Sequence, residues 1–275
     1  MAVQRTIGII AGNGIYPESF VHAARRQETV PRLVVAAFQG ETKEELAGMV
    51  DAIEWFRVGQ LGRMIKWLRR EGVNEAVMVG QIAPKNLFDL RPDLRTLMVL
   101  ARVRERNAES LFGAIADELA KDGIGLLPAT TFMEDLLAGV GLVAGPPPRK
   151  RQLADIEFGF RIAKESSRLD IGQSVVVRHG TVLAVEAFEG TNECIRRGGA
   201  LGRGREVTLV KVSKPRQDFR FDVPVIGPET IATCAQAGVG TIAVEAGCTL
   251  VLGREQVEAA CEREKISVFG VGGGG

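Results

Sequence analysis

The stretch Thr6–Glu18 reads TIGIIAGNGIYPE. It opens with an apolar run, breaks at Gly12-Asn13-Gly14, and resumes with a proline just inside a helix start. Strand, glycine turn and helix in that order begin a parallel α/β sheet, whose strands are buried on both faces and so run as continuous apolar stretches. The turn has a second implication. Glycines let backbone N–H groups approach a phosphate, and the helix N-terminus that follows adds partial positive charge. The dinucleotide fingerprint asks for three glycines, and here Tyr16-Pro17 stand where the third would fall. No Walker lysine follows either. Gly12, Asn13 and Gly14 are therefore candidate substrate contacts, and the same residues also suit a plain tight turn.

The pattern repeats downstream. RLVVAAF (32–38), AIEWFRV (52–58) and EAVMVGQI (75–82) read as further buried strands, with helical IYPESFVHAARRQ, TKEELAGMV and LGRMIKWLRREG between them. This alternation predicts a Rossmann-like parallel sheet covered by helices, over residues 1–131. After Ile82 the chain loosens into APKNLFDLRPDLRTL, a polar connection with two prolines that reads as a functional loop. A helix, AESLFGAIADELAKDG, and a short strand, IGLLPAT, close the domain. The segment GQIAPKN lies just beyond a strand end and should share an edge with the first glycine loop. Gln81, Lys85 and Asn86 are then placed to meet phosphate or sugar hydroxyls, unless they form only a solvated loop.

The stretch AGVGLVAGPPPRKRQ is the linker, around residues 139–152, because glycine and proline cluster there. The second domain, 132–275, has a different rhythm. DIEFGFRIAKESSRL is a helix. SVVVRHGTVLAVEAFEG reads as a hairpin turning at His179-Gly180. A helix follows from Thr191, then the strand VTLVKVSK, the helix PETIATCAQAG, and the strands TIAVEAG and ISVFGVG. The expectation is a second α/β domain with a mixed sheet, a substrate cleft between the two domains, and a disordered VGGGG tail.

Composition narrows the function. With 275 residues, a formal net charge of +1, 45% hydrophobic and 25% charged residues, the chain has the make-up of a soluble globular protein. Near-neutral charge argues against a nucleic-acid partner. The basic clusters at Lys66–Arg70 and Arg149–Arg151 suit solvated faces. No signal peptide is visible, and no apolar run approaches the roughly 20 residues that span a bilayer. The expected location is cytoplasmic. Four widely spaced cysteines form no Cys-x-x-Cys, and with two histidines a zinc site is not expected. A metal here would be a hard ion such as magnesium, held by carboxylates and phosphate.

The densest chemistry lies in KVSKPRQDFRFDVPVIG, Lys211–Gly227. It gathers Lys214, Arg216, Asp218, Arg220 and Asp222. Basic groups neutralise charge developing on phosphate, and a neighbouring carboxylate can hold magnesium or orient water. A surface loop laced with salt bridges would have the same composition. Upstream, Glu186 on a strand needs partners if buried, Thr191 stands at a helix N-cap position, and Glu245 ends another strand. His179 reads as an ordinary turn residue.

Taken together, GIIAGNGIYP, RPDLR, RLDIGQSVVV, VLAVEAFEGT, KVSKPRQDFRFDVPVIG and VEAG resemble the LpxI-type UDP-2,3-diacylglucosamine diphosphatases of lipid A biosynthesis. The resemblance runs from about Thr6 to Gly270. It implies hydrolysis of an acylated UDP-sugar to UMP and 2,3-diacylglucosamine 1-phosphate, with water attacking the phosphorus on the sugar side. It also implies a divalent ion, usually magnesium, and two domains that hold the lipid substrate between them. Asp222 inherits the catalytic aspartate role in Arg220-Phe221-Asp222-Val223-Pro224. Lys214 and Arg220 are expected to stabilise phosphate charge, Asp222 and Glu186 to hold metal, and Gly12, Asn13, Gly14, Gln81, Lys85 and Thr191 to bind substrate. One departure stands out: Asn192 occupies a position where the family pattern leads one to expect aspartate. Transient contact with the inner-membrane surface is expected for an acylated substrate, and a twofold homodimer is the expectation for assembly. Two other readings share part of this evidence. A nicotinamide-dependent oxidoreductase fits the opening β–Gly-x-Gly–α, although VVAAFQG ends its strand without the acidic residue that would bind ribose. A non-catalytic nucleotide-sugar or lipid-binding protein shares every binding feature and differs only in turnover.

Overall fold

The computed structural model describes residues 5–82, 92–103, 108–204, 206–215 and 217–272. Lys85, Asn86, Arg216 and the last three glycines of the expected tail lie outside the described residues. Packing divides the chain into two units: residues 1–133 with 218–222, and residues 134–217 with 223–275.

The first unit is built on five parallel strands in the order β3-β2-β1-β4-β5. These are β1 (Thr6–Ala11), β2 (Arg32–Phe38), β3 (Ala52–Phe56), β4 (Glu75–Val79) and β5 (Gly125–Leu126). Ile9 of β1 lies opposite both Val35 and Val77. β1 and β2 are buried along almost their whole length, as their unbroken Ile, Val and Ala content requires. Helix α1 (Tyr16–Arg25) buries Phe20, Val21, Ala23 and Ala24. Helix α2 (Leu61–Arg70) buries Leu61, Met64, Ile65 and Leu68, the i, i+3, i+4, i+7 stripe of an amphipathic helix. The expected helix in TKEELAGMV is a 3-10 helix, Glu44–Met49.

The polar connection after Ile82 holds a helix that its sequence did not announce, α3 (Leu94–Arg102). Asp93 explains it. Its carboxylate accepts from the Thr96 amide at 2.9 Å, and also from the Gly62 amide at 2.7 Å and the Arg63 amide at 3.3 Å. One side chain thus satisfies orphan donors at the start of both α2 and α3. Helix α4 (Ala108–Lys121) precedes β5.

The second unit contains a six-stranded mixed sheet in the order β6-β13-β11-β9-β7-β8 and a separate parallel pair, β10-β12. The strands are β6 (Gly141–Ala144), β7 (Ser174–Arg178), β8 (Thr181–Val185), β9 (Val207–Lys211), β10 (Val225–Ile226), β11 (Val239–Glu245), β12 (Leu250–Val251) and β13 (Ser267–Val271). The helices are α5 (Lys150–Arg168), α6 (Thr191–Leu201), α7 (Pro228–Ala237) and α8 (Arg254–Glu264). β9, β11 and β13 run parallel, β6 pairs antiparallel with β13, and the β7-β8 hairpin joins through the antiparallel pairing of β7 with β9. Period-2 alternation divides the sheet between two cores: Val175, Val177 and Val210 pack with Ile156 and Ala163 of α5, and Val176 and Leu209 pack with α6, α7 and α8.

Further particulars differ from the sequence-based expectation. The glycine- and proline-rich linker contains β6, whose ladder to β13 makes it part of the second unit. Helix α8 was not anticipated. Residues 218–222 belong with the first unit, although their position in the chain placed them in the second domain. The hairpin turn falls where expected: His179 sits at φ 48°, and its amide and that of Gly180 each donate to buried Asp155 at 2.8 Å.

Candidate active site

In the first unit, strand order reverses between β1 and β4, and the loops leaving their C-terminal ends are where open α/β sheets take ligands. The structure brings those loops together. The Gly12 amide donates to Val79 O at 2.8 Å, the Asn13 amide to Gln81 O at 2.6 Å, and the Gln81 amide to Asn13 O at 3.1 Å. The Gly14 amide donates to Asn13 Oδ1 at 2.6 Å. Gly12, Asn13, Gly14 and Gln81 therefore form one joined edge. Glycine is required there by the approach of the two backbones. A Cβ on Gly12 would lie 2.4 Å from Gln81 O, and one on Gly80, at φ +92°, would lie 2.7 Å from Asn13 O. The first three loop amides already have acceptors, so they do not form an open phosphate cradle.

The turn Asp218–Asp222 is seated in the same unit. The Phe221 and Asp222 amides donate to Asp218 O at 3.2 and 3.0 Å. The Arg220 guanidinium grips both oxygens of Asp218 at 2.6–3.2 Å. That contact holds the Asp218 carboxyl below the usual range and raises the Arg220 guanidinium. The Phe221 ring packs on Phe112 of α4 at 5.7 Å between centroids. The Phe219 carbonyl accepts from the Ala129 amide at 2.7 Å. Ala129 O in turn accepts the Tyr16 hydroxyl at 2.8 Å. Burial pushes that phenol well above its ordinary pKa, so it stays a donor at any working pH.

In the second unit, the ends of β9 and β11 carry a buried polar cluster. Glu245 Oε2 accepts from the Ser213 amide at 2.8 Å and the Ser213 hydroxyl at 2.7 Å. Lys164 Nζ of α5 lies 3.0 Å from both Glu245 oxygens and 3.1 Å from Ser213 O. Burial alone would raise the Glu245 pKa, but the Ser213 donors and the Lys164 ammonium together hold it below the usual range. Lys214, next in the chain, pairs with Asp170 at 2.5 Å. Nearby, Thr191 donates to Glu186 Oε1 at 2.8 Å, and Lys211 Nζ lies 3.4 Å from the Thr191 hydroxyl. Glu186 Oε2 is buried with no hydrogen-bond partner among the described residues. Asn192 donates to Glu229 at 2.9 Å, a position where an aspartate would set two carboxylates against each other.

Sequence reasoning passed over Tyr16, Lys164 and Ser213 as participants. The one available signal was that Tyr16 is the sole tyrosine of the chain. Among the described residues, no group of three or more His, Cys, Asp or Glu side chains stands together to hold a metal ion.

A parallel sheet with paired loops at its switch point, followed by a mixed-sheet unit that holds the buried Glu245 against Lys164, defines a two-unit α/β protein. The family is then fixed by comparison. Residues 6–136 match the LpxI N-terminal domain and residues 139–269 match the LpxI C-terminal domain, so the chain belongs to the LpxI family. It is 35% identical, over 98% of either chain, to the UDP-2,3-diacylglucosamine pyrophosphatase LpxI of Caulobacter vibrioides.

Proposed function

We propose that this protein hydrolyses the diphosphate of UDP-2,3-diacylglucosamine, releasing UMP and 2,3-diacylglucosamine 1-phosphate for lipid A biosynthesis. The observation that carries this is the match along 98% of the chain to a pyrophosphatase named for that substrate. The oxidoreductase reading has no support from either matching domain, and turnover separates the enzyme from a mere binder.

The residue roles follow from chemistry. Asp222, on its knotted turn, orients the attacking water. Arg220 and Lys214 offset charge on the phosphates, each already aligned by a carboxylate partner. The Gly12–Gly14 edge, Gln81, Lys85 and Thr191 contact substrate. Magnesium is the proposed ion, with Asp222 and Glu186 as its candidate carboxylates. The unpartnered Glu186 Oε2 suits an oxygen ligand to a hard cation. With no three-residue cluster among the described residues, most of the ion's ligands would be substrate phosphate and water. Such an ion would polarise a phosphoryl oxygen.

Among the described residues, no helix is long and apolar enough to cross a membrane. We place the enzyme in the cytoplasm, visiting the membrane for its substrate. Phe188, 94% exposed on the loop after β8, is the residue offered to that surface. A homodimer remains the proposed assembly, to be tested by sedimentation.

The deciding assay is UMP release from the acylated UDP-sugar by purified protein with magnesium. Asp222→Ala should abolish release nearly completely, and turnover in ¹⁸O-water should place the label in the sugar phosphate. No release by the wild type overturns the function, and wild-type turnover by Asp222→Ala overturns the role of that residue.

A further inference from the structure

We propose that Tyr16 is a positioning residue that locks the Asp218–Asp222 turn to the glycine-loop edge of the first unit. The activity arm of this inference rests on the pyrophosphatase reading; the geometry does not. Tyr16 opens α1 two residues after Gly14, so any shift of the glycine loop moves its phenol. The hydroxyl donates to Ala129 O at 2.8 Å, and the Ala129 amide donates to Phe219 O at 2.7 Å. A single residue is thus gripped by the start of α1 on one side and by the turn on the other.

The segment carrying Ala129 is stiff enough to transmit position. The Leu127 amide donates to Ala76 O at 2.9 Å, the Thr131 amide to Pro128 O at 3.0 Å, and the Met133 amide to Thr130 O at 2.8 Å. Phe132 holds φ 66°, and its ring packs on Phe20 of α1 with centroids 5.8 Å apart. A non-glycine residue with positive φ persists where its surroundings over-determine it. At the far end the turn is knotted by Arg220–Asp218 and wedged by Phe221 on Phe112. Asp222 closes that knot through its own amide. Tyr16 need not touch substrate; it acts through Ala129 and Phe219 on where Asp222 stands. Small displacements of a reacting group are costly to rate, which makes such a strut visible in kcat.

Tyr16→Phe keeps the ring and deletes one neutral hydrogen bond. The expected result in the full-length protein is a roughly three- to tenfold fall in kcat with KM nearly unchanged. In an Asp218→Ala background, where the knot is already open, Tyr16→Phe should add little, a non-additivity that a purely structural role would not produce. A second measurement needs no turnover. Because Tyr16 is the only tyrosine, 3-fluorotyrosine labelling yields one ¹⁹F resonance. Phe221→Leu, a mild change that preserves a core residue, should shift it. Wild-type kcat in Tyr16→Phe, or a resonance unmoved by Phe221→Leu, overturns the proposal. If the wild type releases no UMP, the pyrophosphatase reading fails, and the ¹⁹F measurement alone decides whether the strut exists.

Discussion

Glu245→Ala should destabilise the second unit by about 2–3 kcal/mol. The carboxylate accepts the Ser213 amide and hydroxyl and is bridged by Lys164, all within 3.0 Å, and its side chain is 9% exposed. Hydrogen bonds to a charged group are each worth about 1.5–3 kcal/mol, and removing one partner of a fully buried ion pair costs about 3–5 kcal/mol. Lys164 is 31% exposed and can turn toward water, which lowers the figure to the range given. Calorimetry on the full chain should then show the transition of this unit lowered by roughly 6–12 °C. The sign with pH is fixed as well. The folded carboxyl sits below its unfolded value, so its contribution is complete above the ordinary carboxylate pKa and is lost as pH falls through the folded one. The gap between wild type and Glu245→Ala should therefore close below about pH 4. Pairing the change with Lys164→Met should recover part of the loss, because no orphan charge remains. A shift under 2 °C, or a gap that widens in acid, would refute the reasoning.

Other outcomes follow from other places in the fold. Gly80→Ala forces a Cβ to within 2.7 Å of Asn13 O at φ +92°, and should cost about 2–4 kcal/mol in denaturant melts and weaken substrate binding at the joined loops. Asp93→Ala removes the acceptor shared by α2 and α3 and should cost about 1–3 kcal/mol, with hydrogen-exchange protection falling at the Gly62 and Thr96 amides together. In the native protein a thiol reagent should modify about one cysteine, Cys248. Burial pushes Cys194 up to about 12 and Cys261 to about 11, and Cys234 is fully enclosed, so two or more fast equivalents would contradict the fold. Phe188→Glu should lower partition onto anionic vesicles several-fold while leaving the melting temperature unchanged.

The strands and most helices could be read in the sequence because their signals are local. Continuous Ile/Val runs announced the first sheet, and His179-Gly180 announced the hairpin. α3 escaped because Pro92 and its polar surroundings resemble a loop, while the Asp93 cap that starts it also depends on distant Gly62. β6 escaped because glycines and prolines flank it and only its ladder with β13 makes it a strand. α8 buries only Val257 and Cys261, too few for a visible apolar stripe. The charged motif around Asp222 stood out by its composition, but its housing did not. Phe221 finds Phe112, and Tyr16 finds a backbone carbonyl 113 residues away, contacts that no spacing rule encodes.

The placement of residues 218–222 in the first unit has a consequence for synthesis. That unit is otherwise complete at residue 133, so the ribosome must add a further 89 residues, 222 minus 133, before the last piece of its packing exists. At about 5–20 residues per second this leaves roughly 4–18 s in which the nascent unit lacks Phe221 against Phe112. Any truncated gene ending after the first domain would encode that waiting state permanently, missing both a core side chain and the aspartate assigned to the chemistry.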